Sequence, residues 1–150
     1  MDMSTEHDPY EAGLGFPAKP EKGDFIGREE LLRRKAEGVR RKLGCLVLDD
    51  SSVTVMGSEP VYHDGEAVGY VTSAAYGYLV RKSIAYAWVP PELAEFGTTL
   101  DIEYFEERHA AAVTEEPLFD PAMERMRDGI PLVKATSREI APRRTDPRGR

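Results

Sequence analysis

Residues 61–90, VYHDGEAVGYVTSAAYGYLVRKSIAYAWVP, decide the fold of this 150-residue chain. Asp64-Gly65 is a dipeptide suited to a type I′ turn, in which both central residues take positive φ. Apolar residues alternate with polar ones on either side of it, so residues 60–63 and 66–73 form the two arms of a hairpin. Residues 74–81, AAYGYLVR, are expected to cross over to a further strand over 83–89. Pro90-Pro91 stops that strand, because proline cannot donate to a ladder.

Outward from this hairpin the same period-two pattern recurs. Residues 42–48 alternate with apolar groups on both faces, so the strand is expected to be covered on both sides. A short strand is expected at 53–56 after the polar turn 49–52. Residues 91–97 give one helical turn, 99–105 a strand and 108–114 its return. Glu106-Glu107 between them lacks the Gly or Asn that a two-residue loop favours, so a longer or bulged connection is expected. Short strands about ten residues apart predict a small antiparallel barrel or sandwich.

Before the strands, residues 23–38 read as one helix. Glu29 and Glu30 lie in its first turn, and Arg33, Arg34 and Lys35 follow, an order that suits the helix dipole. Leu31 and Leu32 form a narrow apolar stripe, with Phe25 and Ile26 expected to pack just ahead of it. The segment DPYEAGLGFPAK, residues 8–19, is expected to lie extended against a larger body. Residues 1–9 are expected to fray, 121–128 to form one or two helical turns, and 129–150 to be a disordered basic tail. The domain organisation is then a tail and junction over 1–22, a helix plus barrel over 23–128, and the tail.

Composition narrows the function. Lys and Arg number 20 against 27 Asp and Glu, a net charge of −7. Residues 1–120 carry −11 and residues 121–150 carry +4. An acidic body opposes nucleic-acid binding, which requires a basic face to displace counterions. No apolar run approaches the ~20 residues of a membrane helix, and the N-terminus has no signal-peptide pattern. A single cysteine, Cys45, fits a reducing compartment and a cytoplasmic location.

No catalytic constellation stands out. His7, His63 and His109 lack companions at metal-ligand spacing and read as surface residues. Gly13-Leu14-Gly15 lacks the third glycine and the strand–helix frame of a dinucleotide site. Cys45 reads as a small buried hydrophobe. Arg28, Arg33, Arg34, Lys35, Arg40, Arg41 and Lys42 read as a solvated face balanced by glutamates, with carboxylate or phosphate binding as the alternative. Tyr76, Tyr78, Tyr86 and Trp88 read as barrel packing, with a wall for a flat ring as the alternative.

Two segments carry a resemblance. DPYEAGLGFPAKPEKGDFIGREELLRR resembles the junction of the aminomethyltransferase family, which includes the glycine-cleavage T-protein and the folate-binding parts of dimethylglycine and sarcosine dehydrogenases and oxidases. DGEAVGYVTSAAYGYLVRKSIAYAWVPPELAEFGTTLDIEYFEERHAAAVTEEPLFDP resembles that family's C-terminal barrel domain. The phrases AYGYLVRKSIAYAWVP and IEYFEERHAAAVTEEPLFDP are nearer to the demethylating branch. Ala74-Ala75 and Glu106 depart from the glycine-rich turns of relatives.

The resemblance implies a mainly β fold, a small antiparallel β-barrel preceded by the junction and one α-helix. In the family a large N-terminal region supplies the catalytic aspartate and most of the tetrahydrofolate pocket, and this chain starts at that region's last segment. It implies a detached subunit or fragment with no catalytic residues of its own and no metal. Such a domain helps to enclose tetrahydrofolate, shared with a partner chain, during one-carbon transfer from an N-methyl or aminomethyl donor. Candidate contacts are Glu11 and Phe16 on the junction, and Tyr76, Tyr78 and Arg81 on the crossover. The implied partner carries the N-terminal folate and catalytic domain, with a flavin-dependent amine oxidase or dehydrogenase as one form of it. The rival reading is a scaffold module that stabilises a partner subunit and binds no ligand.

Overall fold

The structure, a computed structural model, describes residues 2–127. The tail expected over 129–150 lies outside the described residues. Six strands among them close into an antiparallel barrel: β1 (Lys42–Leu48), β2 (Pro60–His63), β3 (Glu66–Gly77), β4 (Lys82–Val89), β5 (Thr99–Tyr104) and β6 (Glu107–Thr114). The order around the barrel is β1-β4-β3-β2-β5-β6, and β6 returns to β1. Closure removes the unpaired sheet edges that a small open sheet would present. A barrel, not a sandwich, is the outcome.

Alternation fills the interior. Leu46, Leu48, Val61, Val71, Ala85, Ala87, Val89, Leu100, Ile102, Ala111 and Val113 belong to one buried cluster. On β4 the cluster takes Ala85, Ala87 and Val89, so Tyr86 and Trp88 face the other way, as the two-residue period requires. Small Ala85, Ala87 and Ala111 leave room for Leu46, Leu100 and Ile102 in a barrel this narrow.

The hairpin at Asp64-Gly65 forms as expected, with φ of 50° and 85° at the two residues and His63 facing Glu66. The crossover at 74–81 does not exist. β3 runs on through Ala74 and Ala75, which pair with Ala85 and Ile84, and turns back at once into β4. Alternation continues to Gly77, and the Arg81 N–H closes the turn on the Gly77 carbonyl at 2.7 Å. The expected strand at 53–56 is likewise absent. Asp50 accepts the Ser52 N–H at 2.8 Å and holds a turn, and Val55 is buried against the barrel core without joining a ladder. Thr54 and buried Ser83 share a hydroxyl contact of 3.2 Å there.

The β5–β6 connection also differs. Tyr104 pairs with Glu107, so only Phe105 and Glu106 turn the chain, at φ of 51° and 66°. Ladder pairing on both sides overrides the absence of Gly or Asn. Left-handed backbone at a residue with a Cβ costs about 1–2 kcal/mol. Glu106→Gly is therefore expected to raise stability by about 0.5–1 kcal/mol, read as a later urea midpoint at constant m. An unchanged or earlier midpoint would count against strain at this turn.

Ahead of the barrel stands α1 (Arg28–Glu37), shorter than expected because Gly27 takes φ of 91° and halts the pattern on its N-terminal side. It buries none of its residues. Ile26 is fully exposed and Phe25 is partly so, which corrects the expectation that they pack. Ion pairs cover its polar face instead: Arg33 meets Glu30 and Glu37, and Arg34 meets Glu30 at 2.8 Å. The two guanidiniums hold the Glu30 carboxyl down at about 2. Of the basic run, Arg33, Arg34 and Arg41 meet carboxylates and Arg28 donates to the Pro20 carbonyl at 2.6 Å.

Residues 2–18 neither fray nor lie extended. They form successive turns with their own backbone bonds, Ala12 to Asp8, Leu14 to Pro9 and Ala18 to Gly15 among them. The reason is sterically plain: Gly13 at φ of 72° bends the chain where an extended segment would need φ < 0. Residues to Phe119 make one compact unit. Within the following unit, Asp120 precedes α2 (Glu124–Arg127), and its carboxylate accepts the N–H groups of Glu124 and Arg125 at 2.9 and 3.2 Å.

Candidate functional site: the junction cleft

Asp8-Pro9-Tyr10-Glu11 builds a reciprocal turn. The Asp8 carboxylate accepts the N–H groups of Tyr10 and Glu11 at 2.8 and 2.9 Å, and the Asp8 N–H donates to the Glu11 carboxylate at 3.3 Å. This is the logic of a capping box, each carboxylate satisfying an N–H near the other. The Leu43 N–H then donates to the Glu11 carbonyl at 3.0 Å, which ties the turn to the start of β1.

That anchorage places Glu11 in an unusual position. It is only 7% exposed, a charge held out of water. Its partner is Arg41, whose Nε lies 3.8 Å from a carboxylate oxygen. Arg34 reaches Asp8 at 3.4 Å from α1. Together with Arg40 and Glu37, these residues line a charged cleft of about 560 Å³. Facing carboxylates and guanidiniums can read a ligand that presents both donors and acceptors, and the arginines suit an anionic group.

The five candidate residues do not converge. Glu11 lines this cleft. Phe16 lies on the same segment but is 79% exposed. Tyr76 and Tyr78 meet edge to face at 5.1 Å at the far end of the β3–β4 hairpin. Tyr78 lines a separate apolar hollow. Arg81 sits in the hairpin turn, exposed, at φ of 56°. Asp8, Arg34 and Arg41 line the cleft beside Glu11; the two arginines belong to the basic run with carboxylate or phosphate binding as its alternative reading, and Asp8 was not singled out. Their signals were present, in the D-x-x-E spacing of residues 8–11 and in the basic run.

The histidine assignments also need correction at one place. His7 is not a free surface residue: its ring stacks on Trp88 at 4.3 Å, with 4° between planes. Arg41 lies over the same indole at 5.2 Å. His7 Nε2 and the Tyr10 hydroxyl are buried without a hydrogen-bond partner among the described residues. Also among these residues, no group of three His, Cys, Asp or Glu is placed to hold a metal, and no helix is long and apolar enough to cross a membrane.

Residues 41–120 match the family model of the glycine cleavage T-protein C-terminal barrel domain. The chain belongs to that family. Its relatives include mitochondrial dimethylglycine dehydrogenase of Mus musculus, 37% identical over 96% of this chain and 17% of the enzyme. Aminomethyltransferase of Desulfitobacterium hafniense is 38% identical over 67% of this chain and 27% of its own length. Among solved structures, aminomethyltransferase T of the glycine cleavage system from Bartonella henselae superposes with a TM-score of 0.74. It covers 80% of this chain and 34% of that one, at 22% identity, and so shares the fold.

The chain therefore spans about a sixth to a third of the length of these relatives. As a T-protein-type C-terminal barrel it carries the family's closed six-strand architecture, with the junction turn and α1 in front.

Proposed function

We propose that this chain is the detached C-terminal part of a tetrahydrofolate-dependent aminomethyltransferase or demethylating system. It helps to enclose the folate during one-carbon transfer from an N-methyl or aminomethyl donor and supplies no catalytic residue. Its partner is a protein chain carrying the N-terminal folate and catalytic domain.

One observation carries this reading: the junction and α1 leave apolar groups in water. Ile26 is fully exposed, Phe16 nearly so, and Leu32, Leu14 and Phe25 are about 40% exposed, on elements that bury nothing of α1. Solvent-facing apolar groups gathered on one segment mark a protein contact. The Tyr10 hydroxyl and His7 Nε2, buried without a hydrogen-bond partner among the described residues, lie on the same segment.

The junction cleft fits one side of a folate. Glu11 would accept from the N–H groups of a pterin edge. When bound, tetrahydrofolate would supply the nitrogen that accepts the one-carbon unit. This chain's part is to exclude water from that reaction and to shape the rim. The buried free thiol of Cys45 supports a reducing, cytoplasmic compartment.

The test is titration of the full chain with tetrahydrofolate, alone and with a chain carrying the N-terminal domain. Folate is expected to bind only to the pair. Glu11→Ala is expected to weaken that binding by roughly tenfold, the scale of one charge-assisted hydrogen bond, while the pair persists. Ile26→Asp is expected to separate the pair. Tight folate binding by the chain alone would refute the subunit role. A stable pair that never binds folate would leave only a scaffold.

A further inference from the structure

At the opposite end of the β3–β4 hairpin from its bulge at Val71/Ser73 lies a hollow of about 380 Å³. Its walls are apolar: Leu79 and Val80 from the hairpin turn, Ile84 from β4, and Leu118 and Phe119 from the segment after β6. Tyr78 and Leu79 stand 84% and 74% exposed beside it, large apolar groups held in water by a tight turn. Among the described residues a single charged side chain lines it, the carboxylate of Glu116.

Behind that carboxylate stand two protic groups, the Cys45 thiol on β1 and the Tyr86 hydroxyl on β4, which face each other across the ladder. Burial, and then the neighbouring Glu116, push the thiol up to about 12. Burial and a hydrogen bond to Glu116 raise the Tyr86 phenol as well. Both groups are therefore neutral near pH 7 and present hydrogens, so the hollow carries one negative charge in an apolar frame.

We propose that this hollow is a binding site for a small organic ammonium ion: a protonated amine bearing an aromatic or branched aliphatic group. The apolar group would sit between Leu79, Ile84 and Leu118, and the N–H groups would meet the open lone pairs of Glu116. An anion would be repelled there, and a neutral molecule would cover the carboxylate without compensating it. A volume of this size lies at the small end of ligand pockets and suits a fragment, not a full cofactor. The site shares no residue with the Glu11 cleft, so it stands or falls independently of the folate reading.

The probe is 2-phenylethylammonium, compared with its neutral isostere 2-phenylethanol and with 3-phenylpropionate. Each is titrated into the full chain while the backbone amide signals of Gly77, Leu79 and Leu118 are followed. Saturable shifts at these amides are expected for the ammonium, with affinity about tenfold tighter than for the alcohol, and none for the carboxylate. Glu116 is exposed, so Glu116→Gln leaves the fold intact and is expected to erase the difference between amine and alcohol. Tyr86→Phe is expected to weaken the ammonium less than Glu116→Gln does. Equal binding of amine and alcohol, shifts confined to other parts of the chain, or indifference to Glu116→Gln would each overturn the proposal.

Discussion

Gly69→Ala is expected to destabilise the barrel by about 3 kcal/mol or more, at the upper end of single-substitution effects. Gly69 lies on β3 beside β4, and a Cβ there would stand 2.0 Å from the Trp88 carbonyl oxygen and 3.1 Å from its carbon. Both atoms are backbone, so no side chain can swing aside. The two strands must separate by more than an ångström, next to the Tyr70–Trp88 pair that holds them together. With folded domains stable by roughly 5–15 kcal/mol, a loss of this size puts the barrel near its limit. Gly44→Ala is the control: its Cβ would meet nothing nearer than 3.9 Å, and a shift within about 1 kcal/mol is expected. Urea unfolding followed by circular dichroism measures both. Gly69→Ala unfolding with the wild type would show that β3 and β4 are not as close as the structure has them.

Trp88→Ala is expected to cost about 3–5 kcal/mol, the range for removing a buried aromatic. Trp88 is 2% exposed although it points away from the core cluster. Residues 2–8 cover it: His7 stacks on the ring, and the indole N–H donates to the Asp2 carbonyl at 3.1 Å. The Asp2 carboxylate also accepts the hydroxyls of Thr72 and Ser73 at 2.5 and 2.6 Å. Those bonds hold the Asp2 carboxyl below its ordinary value. Removing the ring therefore opens a cavity and releases the N-terminal segment together. Faster amide exchange at residues 4–8 is expected alongside the loss of stability. Trp88→Phe keeps a ring and loses only the N–H bond, for about 1 kcal/mol. Because Trp88 is the single tryptophan, circular dichroism replaces fluorescence as the readout. Protection at residues 4–8 that survives in Trp88→Ala would mean that the indole does not hold the segment.

Legibility in the sequence followed the range of the interactions. Asp64-Gly65 forms its turn because its own backbone preferences demand one, and β1, β2 and β4 follow from alternation a few residues long. The candidate site was less readable. Glu11 was identified through a resemblance, whereas Arg41, which meets it, lies about 30 residues further along on the approach to β1, and Arg34 of α1 meets Asp8. Nothing in a local pattern pairs Asp8 with Arg34. The hollow at Glu116 draws on three separate stretches of chain, and no window of sequence holds them together.

The sequence by itself determined a mainly β domain with a charged helix in front, barrel or sandwich by its pattern and a barrel by its family resemblance. Period-two alternation, turn dipeptides and two long matching phrases are all local, and each survives without knowledge of contacts. Only the tertiary structure decided where alternation stops mattering. Residues 74–77 extend a strand because Ala85 and Ile84 lie opposite. Phe105 and Glu106 turn tightly because the flanking register leaves only two residues. Residues 2–8 are ordered because a tryptophan on the outer face of β4 gives them a surface to cover. In each case the free energy comes from a partner distant in sequence, which propensity cannot report.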